Sequence, residues 1–87
     1  MDENLYEDLI EEIRRIALTV EGILGTEKCL IRKSGMKYLV DLHATVDANI
    51  SVKQGHILAH KLKDKLQLEI PEIEFILIHI EPFERKF

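Results

Sequence analysis

The sequence predicts an α+β fold of element order αββαβ, with two helices packed on one face of a three-stranded sheet. Three observations predict it. Two stretches carry apolar residues at helical spacing, three carry strand composition or period-two alternation, and Gly, Pro and Asp-Ala-Asn segments separate them. With 87 residues the chain makes one domain, residues 1–87.

Leu5, Leu9, Ile13, Ile16, Ala17 and Val20 predict an amphipathic helix from about residue 4 to 20, with acidic residues crowding its first turn. Gly22 and Gly25 end it. A short strand is expected from about Glu27 to Lys33, a turn at Ser34-Gly35, and a longer strand from about Lys37 to Asp47, the two pairing as an antiparallel hairpin. In the second strand Val40, Leu42, Ala44 and Val46 point one way, while Leu39, Asp41, His43, Thr45 and Asp47 point the other. Asp47-Ala48-Asn49 turns the chain, and Ser51 caps a helix running to about Leu68. Its buried stripe is Gly55, Ala59, Leu62 and Leu66, flanked by Leu58. Pro71 marks the next break. The last strand runs from Glu74 to Glu81, with Ile76, Ile78 and Ile80 on one face and Phe75, Leu77, His79 and Glu81 on the other.

Two helices cover only one face of such a sheet. The other face then carries Leu39, Phe75 and Leu77 beside His43 and His79. Apolar side chains on an uncovered face predict a protein interface, here a homodimer. A chain this short buries only roughly 60–65% of its unfolded surface, which also favours a partner.

Composition narrows the function classes. Sixteen acidic residues against twelve basic ones give a net charge of −4, which argues against a nucleic-acid binder. The single cysteine, Cys29, permits no intramolecular disulfide and no CxxC motif, and reads as a small buried hydrophobe. No apolar run approaches the roughly 18 residues of a membrane span, and the acidic N-terminus is unlike a signal peptide.

The four histidines, His43, His56, His60 and His79, all lie after residue 42. His79 and Glu81 share one strand face about 7 Å apart at the backbone, and parity places His43 on the same side. Imidazole nitrogen with carboxylate oxygen is a ligand set that zinc and similar ions accept. His56 and His60, at i and i+4, offer a second chelating arrangement on a helix face. Solvated strand and helix positions explain the same residues without a metal. His79 with Glu81 could also be an acid–base pair, but no Gly-rich loop or pocket-building segment accompanies them, so no enzyme is expected.

Gly22-Ile-Leu-Gly25, Leu30-Ile-Arg-Lys-Ser-Gly35, Val40-Asp-Leu-His43, Ile50-Ser-Val-Lys-Gln-Gly-His56 and Ile78-His-Ile-Glu-Pro82 resemble, in order and spacing, the cytoplasmic C-terminal domain of cation diffusion facilitator transporters. The resemblance spans about residues 5–83, the expected structured core. It implies a metallochaperone-like (ferredoxin-like) αββαβ fold with a three-stranded mixed sheet. It also implies a homodimer, a metal site near the dimer interface, and attachment to a transmembrane transporter at the cytoplasmic side of the membrane. By position, His43, His56 and His79 match the family's histidine ligands and Glu81 its acidic ligand, for Zn2+ or another divalent transition metal. A further histidine that some members carry on the first strand falls at Glu27. His56 packs from the core side, so it joins the other three only if its helix starts at the sheet's edge. The function these expectations describe is a metal-sensing, dimerising regulatory domain of a metal-efflux transporter. The alternatives are a purely structural dimerisation module and a small-molecule regulatory domain.

Overall fold

The computed structural model describes residues 6–84. Helix α1 (Glu7–Ala17) is followed by strands β1 (Gly25–Ser34) and β2 (Lys37–Val46), helix α2 (Val52–Glu69) and strand β3 (Ile73–Pro82). The sheet order is β1-β2-β3, with β2 central, antiparallel to β1 and parallel to β3. This is the predicted two-layer αββαβ arrangement with a mixed sheet. The expected positions of residues 4 and 5 in the first helix lie outside the described residues.

Local chemistry accounts for the element ends. Glu7 and Asp8 occupy the first turn of α1 and Arg14 and Arg15 its last, each complementing the helix dipole. The helix stops at Ala17, three residues before the predicted Val20. Leu18 to Gly22 instead form turns, and Gly22 adopts a φ of +103°. A Cβ there would also lie 2.9 Å from Leu58 Cδ2, so glycine serves both the backbone and the packing of this loop on α2. Between β1 and β2 the loop is only Gly35-Met36, with Gly35 at φ +63°, the positive value that a tight Gly-X hairpin turn needs at its first position. Ser51 caps α2 as expected. Its hydroxyl accepts from the Gln54 amide, and the Gln54 side chain accepts from the Ser51 amide, satisfying two otherwise orphaned donors.

Burial follows the predicted faces except at Thr45, assigned to the uncovered face but 3% exposed. Val40, Leu42, Ala44 and Val46 of β2 meet Ile13, Ile16 and Ala17 of α1 and Leu62 and Leu66 of α2 in one core, closed by Val20, Ile23, Ile70, Ile73 and Ile76. Leu58 and Ala59 are half-buried at its margin rather than inside it. Among the helix–sheet contacts, α2 packs chiefly on β3, an edge strand, so one flank of the helix reaches the rim of the sheet.

The opposite sheet face is open. Phe75 and Leu77 are exposed there and Leu39 half-buried, as predicted; Leu30 of β1 joins them, 55% exposed. The hairpin register sets Leu30 against Asp41 on this face. Cys29, across from Leu42, is half-buried against the core, and burial raises its thiol pKa to about 11 although the nearby Arg14 opposes the rise. It is therefore a protonated, unreactive packing group at neutral pH.

The core is apolar and continuous without any ion. We expect the chelator-treated chain to keep its far-ultraviolet circular dichroism at room temperature. Leu62→Ala, at a fully buried position, should cost about 2–5 kcal/mol in urea unfolding. A random-coil spectrum in chelator, or a cost below about 1 kcal/mol, would contradict this account of the core.

Candidate metal centre on the open sheet face

Parallel pairing of β2 with β3 puts His43 directly opposite His79. Adjacent strands lie about 4.8 Å apart, close to ring-stacking distance, and the two imidazoles stack with centroids 4.2 Å apart and planes 11° from parallel. Two residues along β3, Glu81 reaches back across the strands, and His43 Nδ1 lies 2.6 Å from Glu81 Oε2. A bond to the ionised Glu81 carboxylate requires the proton on Nδ1, so His43 donates through Nδ1, and its neutral ring then has its lone pair on Nε2. Buttressing one imidazole nitrogen with a carboxylate while the other stays available is how metal-binding histidines are commonly oriented.

The side chains of His43 and Glu81 are 22% and 38% exposed, so the pair is partly screened by water. Glu81 is held below the ordinary carboxylate pKa, first by the His43 hydrogen bond, with smaller support from the charge of His43, from Glu27 and from His79, against opposing burial. Glu27 comes within reach because β1 carries a bulge. Between Thr26 and Cys29 the chain advances three residues while β2 advances two, from Ala44 to Leu42. The extra residue brings the Glu27 segment alongside His43. Nothing in the sequence announced that bulge.

His56 is placed differently. Gly55, buried one residue before it, sits close enough to Ile80 that an added Cβ would contact Ile80 Cγ2 at 3.7 Å. The start of α2 thus lies at the end of β3, and His56 lines the same groove as Ile80 and Glu81. This is the edge position that convergence requires. The His56 ring nevertheless packs against His60, centroids 4.5 Å apart at 76°, rather than against the stacked pair. His60 is exposed, as expected of a solvated flank. Among the described residues, no three His, Cys, Asp or Glu side chains are already gathered in ligating geometry. The fold therefore joins His43, His79 and Glu81 in one patch, and leaves His56 at its rim.

Comparison with known proteins gives the family and the fold. The family described as cation efflux protein, cytoplasmic domain, matches residues 5–83. The chain is 24% identical over 83 residues to the manganese efflux system protein MneP of Bacillus subtilis, covering 95% of this chain and 28% of that protein. It is 33% identical over 73 residues to metal tolerance protein C1 of Arabidopsis thaliana, covering 84% and 16%. With the cation-efflux pump FieF of Yersinia enterocolitica it shares 29% over 82 residues, covering 94% and 27%. The chain thus spans less than a third of the length of these relatives. Among solved structures, a cadmium form of a MamM C-terminal domain variant superposes with a TM-score of 0.88 at 23% identity, covering 91% of this chain and 99% of that one. A second MamM variant gives 0.86 at 24%, covering 90% and 98%. These likenesses establish the fold. Among the described residues, no helix is long and apolar enough to cross a membrane.

The hydrogen bond to Glu81 specifies one tautomer of His43. Nitrogen-resolved NMR of the metal-free chain above pH 8 should find His43 protonated on Nδ1, and Glu81→Ala should shift it toward the Nε2 form. An Nε2-protonated His43 in the unsubstituted chain would contradict the bond.

Proposed function

This chain belongs to the family of cation efflux protein cytoplasmic domains, and from that premise we propose that it is the metal-binding, dimerising regulatory domain of a divalent-cation efflux transporter. In this reading residues 1–87 form one cytoplasmic domain attached to a transmembrane portion. His43, His79 and Glu81 supply the site, and His56 joins from the groove it shares with Glu81. The ion is Zn2+ or a chemically similar divalent transition metal. The observation that carries the reading is the stacked, in-register His43–His79 pair with Glu81 bonded to one member.

The donor set fits such an ion. Two imidazoles and a carboxylate combine borderline nitrogen with hard oxygen, which suits zinc, cobalt and nickel better than calcium or magnesium. Glu81 already contributes anionic charge and orients His43. The Glu81 bond leaves Nε2 of the neutral His43 ring free to bind, and in this reading His79 and His56 turn toward the same ion. A second copy covers Leu30, Leu39, Phe75 and Leu77 on the same face, so the site lies near the interface between copies. Metal that binds one arrangement of the two protomers more tightly shifts the population toward it, and the attached membrane portion reads the change.

A second reading keeps the dimer and omits the metal. The exposed apolar side chains of the open face favour it, because they need covering whether or not an ion is present.

Zinc titration by calorimetry on the chelator-stripped chain separates the two readings. Tight stoichiometric binding is expected, weakened at least tenfold by His43→Ala, His79→Ala or His56→Ala, and less by His60→Ala. A tenfold loss is about 1.4 kcal/mol, less than one of a few protein ligands should contribute. Glu81→Gln should weaken binding as well. Absence of binding would leave the purely structural module.

Binding should also fall as pH drops from about 7 to 5.5, because imidazole binds metal only as the free base and unperturbed histidine titrates near pH 6.5. The lowered pKa of Glu81 keeps this carboxylate ionised through that window, so protons compete at the imidazoles. A flat affinity across the window would exclude histidine ligands.

A further inference from the structure

His56 and His60 sit one turn apart on α2, both exposed, with their rings in contact at 4.5 Å between centroids. Among the described residues neither ring is held by a hydrogen bond or an ion pair, whereas His43 is bonded to Glu81. Both line a groove where α2 overhangs β3, with an apolar wall that includes Phe75, Leu77 and Ile78. Two imidazoles at i and i+4 on a rigid helix project in the same direction. Here the rings already touch, so rotation about the side-chain bonds can aim one nitrogen from each at a common point without moving the backbone.

We infer that His56 and His60 form a second, helix-borne chelate for one late divalent transition ion, held by two imidazole nitrogens and completed by water. It does not depend on the strand site, and it competes with that site for His56. The donor set is two neutral nitrogens with no protein carboxylate in the contact. That set should follow the general affinity order of these metals, Cu2+ above Ni2+ and Ni2+ above Co2+. Calcium and magnesium, which take oxygen ligands, should not bind here. Lys63 lines the same groove and opposes a cation. Asp64, one turn beyond His60, brings an opposite charge to that helix face. The site is therefore expected to be weaker than one with three or four protein ligands. It gives the domain a response to metal that the strand cluster alone would lack: His56 either joins the sheet or pairs with His60.

The test uses Ni2+ alone on the full chain carrying His43→Ala and His79→Ala, followed by calorimetry and by paramagnetic broadening of amide NMR signals. Ni2+ should still bind, and it should broaden signals from the turn spanning residues 56 to 60. Adding His60→Ala should weaken binding at least tenfold and remove the broadening. Moving the histidine one place along, with His60→Ala and Lys61→His together, should not restore it, because a residue at i+5 points about 100° away from one at i+4. Loss of Ni2+ binding in the starting background, survival after His60→Ala, or rescue by Lys61→His would each overturn the inference. If the double variant fails to fold, His79→Ala alone serves as the background with the same outcomes. Failure of the strand site is a separate result: zinc affinity would then be unchanged by His43→Ala and His79→Ala in the otherwise unaltered chain.

Discussion

The parallel pairing of β2 with β3 is the constraint on which the rest of this molecule depends. A parallel neighbour cannot be reached by a tight turn, so the chain must cross over the sheet, and α2 is that crossover. The crossover buries Leu62 and Leu66 against Val40, Leu42 and Ile76 and so determines which sheet face becomes core. It also makes β2 central and β3 an edge. One register then places His43 beside His79, and the period of two carries Glu81 to the same side. A shift of β3 by one residue would send His79 and Glu81 into the core and Ile78 and Ile80 into water. The apolar isoleucines thus hold the ionisable residues in place.

The open face combines two demands that usually separate. It exposes Leu30, Phe75 and Leu77, which favour association, and it carries a histidine–carboxylate cluster, which needs water or an ion. They coexist because they occupy different stretches of the same strands. The apolar residues lie toward the start of β3 and the hairpin end of β1, and the ionisable ones toward the end of β3 and the β1 bulge. In the proposed dimer, association through the first region would bring the second close to the boundary between copies while leaving it accessible. The thiol of Cys29, on the other face and raised in pKa by burial, takes no part in this chemistry.

Helix α2 links the two sides of the sheet. Its buried stripe belongs to the core, but its N-terminal portion lies over an edge strand, so an exposed residue there can look around the rim. His56 shows the consequence: it shares a groove with Glu81 and ring contact with His60. In the middle of a wider sheet the same helix would have been cut off from the opposite face by further strands. An edge crossover permits communication between a helix residue and strand residues that parity alone places on opposite sides.

Much of this was legible in the sequence because it follows from periodicity. The alternation assigned the side chains of residues 39–47 and 75–81 to faces, with Thr45 the one placed on the open face that is buried, and the Ser51 cap and the Ser34-Gly35 turn marked boundaries correctly to within a residue or two. Periodicity reports direction along one element, so His43, His79 and Glu81 could be placed on one face from residue order alone. It does not report which residues become neighbours between elements. The stacking of His43 on His79, the Glu81 bond to Nδ1, the bulge that delivers Glu27 and the turn of His56 toward His60 all depend on strand register and helix position. Those are decided when the core closes, because only the simultaneous packing of Leu62, Leu66 and the β-strand isoleucines selects one register from the several that the alternating pattern permits.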